Sequence, residues 1–387
     1  MLRRYLELDS ITVMLYVGLG LFVQLSAVMA HSFIVQLAGN TSMSTVISDY
    51  SLQVKSGDVE AIALGGRFRA LMGEFSADVL RKLHRDPRVA AISIDRWLEL
   101  QEYVIQGQSP MHLCRLASSS TSVHRPFMFD SHSGGGVDMY LFDTGIDFKH
   151  PGLSNVDVRR LDDFSDSSVP EGCDPHGHGT ALAGLIASET FGVLKRCDLL
   201  DVRVADEQGR VKISNLLRGL GLATAHASKS MKPSVFVIPM VAGVKNYVLR
   251  TALEAIPSDI AVVLPAGNQQ SEACDFCLLD KRKVANVLVV GSADDKNRIA
   301  SFSNYGDCVD VYTSGVGVRT LQSTDLNPRS LLTSINGTSA SCAIGAGVVG
   351  YYMSMGLRSN EAVEKIHQVS EEVSKYPHYC KLLQLKP

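Results

Sequence analysis

Five short, mostly apolar runs constrain this chain most: Val137 to Phe142, Leu199 to Val204, Val235 to Ile238, Ala261 to Leu264 and Val287 to Val290. Each holds only four to six residues, the length of a strand rather than a helix, and none alternates cleanly between apolar and polar. That pattern suits strands buried on both faces of a sheet. Between them, Ile213 to Ser228 carries a helical period, with Leu216, Leu217, Leu220 and Ala227 facing inward. Alternation of this kind predicts an α/β fold: a predominantly parallel sheet flanked by helices. With 387 residues, 45% of them hydrophobic and 20% charged, the chain can build a large core. The net charge of −3 and the lack of a Lys/Arg block argue against nucleic acid as a partner.

The first 30 residues read differently. Arg3 and Arg4 precede an apolar run from about Ile11 to Val28, and Ala27-Val28-Met29-Ala30 resembles a cleavage site. Residues 1–30 are therefore expected to be a secretory signal, with a membrane anchor as the competing reading because the run approaches spanning length. Residues 31–103 form a small α+β unit. Phe33 to Leu37, Arg67 to Leu71 and Val89 to Ile94 are its strands, and a helix capped by Ser76 runs to about His84. The main unit spans 104–387. All eight cysteines lie in it, after residue 110, which suggests an oxidising compartment.

Three motifs carry chemistry. Asp143-Thr144-Gly145 closes the first apolar run, so Asp143 lies at the C-terminal end of a buried strand, where ligand sites of open sheets gather. His178 begins a helix in Gly177-His178-Gly179-Thr180. Ser339, in Asn336-Gly337-Thr338-Ser339-Ala340-Ser341, falls at the N-terminus of a small-residue helix, where free N–H groups favour a developing anion. On its own, Gly-Thr-Ser is equally a turn with a capping serine. Together the three supply an acid, a base and a nucleophile, in the order Asp, His, Ser.

These residues resemble the subtilisin-like serine proteases, nearest to the proteinase K and cerevisin type. Further matches are His150-Pro151, Asp174, Gly192-Val193, Ala266-Gly267-Asn268, Ser301 to Gly306 and Gly337-Thr338-Ser339, in register over some 200 residues. The resemblance implies a triad of Asp143, His178 and Ser339, with Asn268 donating to the oxyanion, and substrate bound along Met240, Val241, Ala242 and Gly243. It implies that residues 31–103 are an inhibitor-type propeptide, removed near Tyr103-Val104. Cysteines stand at 274 and 308 where cerevisin-like enzymes carry them, implying a Cys274–Cys308 disulfide, with Cys277 as the rival partner. Calcium binds many members, but no ligand set is assignable here, and no cofactor is required. Expected partners are protein or peptide substrates and the propeptide itself, with the enzyme a monomer in the secretory pathway, outside the cell, at its surface or wall, or in the vacuole.

Some features depart from the pattern. Ala181 replaces a usual His, Cys342-Ala343-Ile344 replaces Thr-Pro-His, and Met240-Val241-Ala242-Gly243 replaces Ser-Leu-Gly-Gly. They admit a catalytically weak relative acting as a binding or surface protein. A lipase-like hydrolase needs Gly-x-Ser-x-Gly with the acid after the serine; Asn336 to Ser341 lacks that pattern and the acid comes first. His176 lies near Cys173, Asp174 and His178, but the spacing fits no structural zinc pattern, so it reads as a loop histidine. Cys342 reads as a buried thiol. Asn336-Gly337-Thr338 is formally a glycosylation sequon, expected to be interior, and Asn40-Thr41-Ser42 is the better acceptor.

Overall fold

The computed structural model describes residues 32–39, 41–52, 59–65, 67–95, 102–120, 125–167, 169–230, 232–241, 246–276, 284–374 and 380–386. The expected signal, Asn40, Ala242, Gly243 and Cys277 lie outside them. Two compact units divide the chain, residues 1–100 and 101–387.

In the first unit β1 (Ser32–Leu37), β2 (Val59–Leu64), β3 (Phe68–Glu74) and β4 (Val89–Ile94) form one sheet in the order β2-β3-β1-β4. Helices α1 (Met43–Asp49) and α2 (Ala77–Arg85) complete it. Ser76 caps α2 by accepting from Val79 N–H, and Asp86 ends it. Alternate β1 residues Phe33, Val35 and Leu37 meet Leu71, Leu80 and Leu83 in a small core. The sequence signals missed α1 and β2; β2 is an edge strand that buries only Val59 fully.

The second unit holds a nine-stranded sheet. Its strands are β7 (Asp138–Asp143), β8 (Asp157–Asp163), β9 (Asp198–Arg203), β10 (Ser234–Val237), β11 (Ile260–Pro265), β12 (Val287–Ala293), β13 (Val311–Ser314), β16 (Glu371–Ser374) and β17 (Cys380–Leu382). The order is β16-β17-β13-β12-β11-β10-β7-β9-β8, parallel except between β16 and β17. The five apolar runs are its centre. Edge strand β8 reads Asp-Val-Arg-Arg-Leu-Asp-Asp and is only partly buried, which is why no apolar run announces it. A ribbon of β5 (Tyr103–Gln106) and β6 (Phe127–Asp130) lies beside α3 (Met111–Ala117), and β14 (Val318–Leu321) pairs with β15 (Leu332–Ile335).

Helices cover both faces. On one lie α4 (His178–Ala187), α7 (Thr338–Ser354) and α8 (Ser359–Val369); on the other lie α5 (Ile213–Ser230) and α6 (Tyr247–Glu254), each face with its own apolar cluster. Helix α7 is buried almost all round. Its small residues make this possible: a Cβ on Gly345 would stand 2.8 Å from the Val290 side chain, so the helix lies directly on β12. The chain leaves β7 toward β9 on one side and resumes at β10 on the other. The C-terminal end of β7 is thus the switch point of the sheet, where a crevice opens. Among the described residues no single helix is long and apolar enough to cross a membrane.

Candidate active site

Asp143 is the last residue of β7, and its carbonyl accepts N–H bonds from Val204 and Ala205, which fixes the strand end. Its carboxylate is buried and accepts from Thr144 N–H at 2.8 Å. His178 is the first residue of α4, and its Nδ1 meets both Asp143 oxygens, at 2.8 and 2.9 Å. An ionised carboxylate only accepts, so Nδ1 carries the proton and Nε2 is left as an acceptor. Ser339, in the first turn of α7, places Oγ 3.2 Å from that Nε2. Two carboxylate oxygens, an imidazole and a hydroxyl from three separate elements thus form one chain.

Close backbone approach makes this possible. A Cβ on Gly179 would lie 2.0 Å from the Gly145 carbonyl oxygen, so the loop after Asp143 rests against the first turn of α4. Gly337, at φ +140, turns the chain into α7, and its N–H donates to the Gly315 carbonyl. Ser341 then fixes the start of α7, its hydroxyl 2.8 Å from that of Ser292 on β12.

Beneath the loop sits Arg203, fully buried at the end of β9. Its Nε donates to the Thr144 carbonyl at 2.7 Å, and its other nitrogens reach Asp163, Ser165 and Ser167. Arg160 on β8 pairs with Asp201 and donates to the carbonyls of Val169, Pro170 and Cys173. Neither arginine was singled out from sequence, because their partners are contributed by other strands and loops.

Asn268 follows β11. Its Oδ1 accepts from both the N–H and the hydroxyl of Thr338, each at 2.9 Å, which assigns the amide orientation. The Nδ2 end therefore faces Gly337 and Ser339: a Cβ on Gly337 would lie 3.5 Å from Asn268 Nδ2 and 3.3 Å from Ser339 Oγ. Asn304 supports the loop, donating to the Ala266 carbonyl and accepting from Gln269 and Ser271 N–H.

A cavity of about 280 Å³ opens beside these groups. Pro239, Met240, Val241 and Pro265 line it with Asp143, His178, Asn268 and Ser339. Met240 and Val241 belong to no strand here. His176, a loop histidine as expected, also lines the cavity, its ring 6.2 Å from that of His178.

Burial lowers the His178 pKa, but the Asp143 carboxylate, by charge and hydrogen bond, outweighs it with help from Asp174, and the net shift is upward. Cys342 is buried one turn beyond Ser339, with Sγ toward the Val263 carbonyl, and burial pushes its thiol far up, so it remains protonated. Cys274 and Cys308 are joined as a disulfide. Asn336 is exposed, not interior as its motif suggested, and its Oδ1 accepts from Gly317 N–H; its neighbours Gly337 and Thr338 are the buried ones. Among the described residues no group of three or more His, Cys, Asp or Glu is arranged to hold a metal ion.

Comparison with known proteins bears on the family and the fold. The subtilase family model matches residues 134–370. A Schizosaccharomyces pombe protein, named as a subtilase-type proteinase of the sexual differentiation process, is 26% identical over 74% of this chain; the chain spans 60% of that protein. A cuticle-degrading serine protease of Arthrobotrys oligospora is 31% identical over 74% of this chain, which spans 68% of it. The crystal structure of a cold adapted subtilisin-like serine proteinase aligns with a TM-score of 0.64 at 26% identity, covering 72% of this chain and 98% of that one.

Proposed function

The chain belongs to the subtilase family, and from that premise we propose that it is a secreted, self-processing serine endopeptidase of broad specificity. The observation that carries the reading is the continuous contact from Asp143 through His178 to Ser339.

Ser339 Oγ attacks the carbonyl carbon of the scissile peptide while its proton passes to His178 Nε2. The new C–O bond forms as the carbonyl π pair moves onto oxygen. Asp143 holds the imidazole in the required tautomer and stabilises its cation. The oxyanion is met by Asn268 Nδ2 and by the Ser339 N–H, which lies in the first turn of α7, where N–H groups have no helical partner. The C–N bond then breaks as Nε2 returns the proton to the leaving amine. Water repeats the sequence on the acyl-enzyme and frees Ser339.

Residues 31–103 act as propeptide and intramolecular inhibitor in this reading, and the enzyme works as a monomer. The Tyr103-Val104 bond lies within β5, where Tyr103 pairs with Asp130 and Val104 with Phe129. A peptide is cut as a strand of its own in the cleft, so cleavage there precedes the β5–β6 pairing or requires its release. The Cys274–Cys308 bond supports a secretory route.

A serine-directed fluorophosphonate tests the activity. It should label the native protein and leave Ser339→Ala unlabelled. A native protein that is folded yet unlabelled points to the weak relative instead.

A further inference from the structure

Asp174 is completely buried between the loop after Asp143 and the first turn of α4. Its two oxygens accept four hydrogen bonds. Thr144 Oγ1 and Gly177 N–H donate to Oδ1 at 2.8 and 2.9 Å. Thr180 N–H and Oγ1 donate to Oδ2 at 2.9 and 2.7 Å. The two threonines are crossed. Thr144, on the Asp143 loop, accepts from Gly179 N–H of α4 at 3.0 Å. Thr180, on α4, accepts from Asp147 N–H of the loop at 3.0 Å. Each hydroxyl thus accepts a hydrogen bond from the opposite element and donates one to Asp174. Asp325 holds the arrangement from outside by accepting Asp174 N–H at 2.8 Å.

We infer that Asp174 is a positioning residue for the proposed hydrolysis, setting the Asp143–His178 contact and supplying a second negative charge that stabilises the His178 cation. The inference rests on the serine-protease reading above. Four donors filling both oxygens describe an ionised carboxylate. A neutral carboxyl would have to turn its own proton against one of them. The backbone N–H groups of Gly177 and Thr180 cannot reverse. The threonine hydroxyls are committed by the N–H groups they accept. Burial of such a charge is costly unless every lone pair is met, and here every one is. Asp143, Ser339 and His176 stand against the His178 ring, and the Asp174 charge acts on it from behind the first turn of α4. Burial moves the Asp174 carboxyl upward from its ordinary value, and the hydrogen bonds from Thr180, Gly177 and Thr144 oppose that rise by favouring the charged form. Asp201 lies near enough to be affected by the Asp174 charge.

The test is the pH profile of kcat and KM for a peptide substrate, with the purified chain compared with Asp174→Asn. Removing the charge should move the acid limb to lower pH. Loss of the shared acceptor should loosen the Asp143–His178 contact and lower kcat on the order of a hundredfold with little change in KM. Asp201, pushed up to about 7 by burial, titrates in the same window, so Asp201→Asn is measured alongside and should leave the limb in place. Where Asp174→Asn fails to fold, Thr144→Val and Thr144→Ser serve: the serine, which keeps the hydroxyl, should restore most of what valine loses. A limb for Asp174→Asn that coincides with the native one overturns the inference, as does equal activity of the two Thr144 variants. If the native chain itself hydrolyses no peptide and takes no fluorophosphonate, the protease reading fails instead.

Discussion

Thr338 and Asn268 hold each other through two hydrogen bonds onto one atom, Asn268 Oδ1, each at 2.9 Å. Thr338 Oγ1 also accepts from Gly267 N–H at 3.1 Å, so the hydroxyl has one direction in which to donate. The residue next to the nucleophile therefore fixes which end of Asn268 faces the substrate. Replacing Asn268 with Ala should lower kcat by roughly 10²–10³-fold with KM little changed, a magnitude carried over from a subtilisin. Thr338→Val should cause part of the same loss, because it removes one of the two hydrogen bonds that hold the Asn268 amide and leaves only the Thr338 N–H on Oδ1. Steady-state kinetics of both variants check this, and a Thr338→Val protein with native kcat would detach the threonine from the amide's orientation.

Activity should rise with pH. The base must be neutral to accept the Ser339 proton. An upward-shifted His178 stays protonated to higher pH than an unperturbed imidazole. The acid limb of kcat/KM is therefore expected above pH 6.5, with activity persisting into mildly alkaline solution. A limb near pH 4 would mean that a carboxylate, not His178, is the titrating base.

Gly179→Ala should be among the most damaging single-methyl changes in the chain. The new Cβ would lie 2.0 Å from the Gly145 carbonyl oxygen and 3.2 Å from Asp143 Cβ. Backbone must move on one side, and either movement separates Asp143 from His178. A shift of about 1 Å costs on the order of a hundredfold in rate. Peptidase assay beside thermal unfolding distinguishes this from global collapse: the variant should stay folded with kcat reduced.

The disulfide closes a loop of 34 residues. Replacing Cys274 and Cys308 together with Ser should lower stability by roughly 3–4 kcal/mol in the chain-entropy account. Denaturant midpoints of native and double-Ser protein measure the difference. An unchanged midpoint would show that the loop is already held by other contacts, such as the Glu272 to Tyr305 bridge.

Ser339→Ala should leave the precursor uncut when made in a host lacking other secreted proteases. An accumulating species of full precursor mass is the expected result, and N-terminal sequencing of the native protein should begin near Val104. Maturation of Ser339→Ala to the native N-terminus would assign the cut to another enzyme.

How much of this was legible depended on locality. Apolar runs declare strands that are buried on both faces, so β7, β9, β10, β11 and β12 were readable, and Asp143 with them. Glycine and small residues around His178 and Ser339 signalled close helix starts. Edge strand β8 offered no such signal, because its outward residues are charged. The partners of Arg203 and Asp174 were invisible for a different reason, although Asp174 itself fell within the resemblance. The stability of these two residues depends on partners brought in by folding, Asp163 for Arg203 and Thr144 for Asp174, and no spacing in the chain encodes those meetings.

Selectivity should follow from the walls of the 280 Å³ cavity. Pro239, Met240, Val241 and Pro265 present apolar surface beside Ser339, and Asp143 is the single carboxylate among the described lining residues. That carboxylate is already occupied by the His178 Nδ1–H, so a basic side chain entering the cavity would lose its water without gaining an anion. An apolar side chain gains about 25 cal/mol per Å² buried there. A peptide library should therefore report Ala, Leu, Phe or Tyr before the cut, and a profile dominated by Arg or Lys would reject the prediction. Val241→Asp sharpens the test. A carboxylate added to this wall should improve kcat/KM for Arg or Lys relative to Leu by about 1.5–3 kcal/mol, roughly tenfold to a hundredfold, the strength of a hydrogen bond to a charged partner. If the ratio does not move, residue 241 does not face the side chain before the scissile bond, and the selectivity must be set by other lining residues such as His176 and Val211.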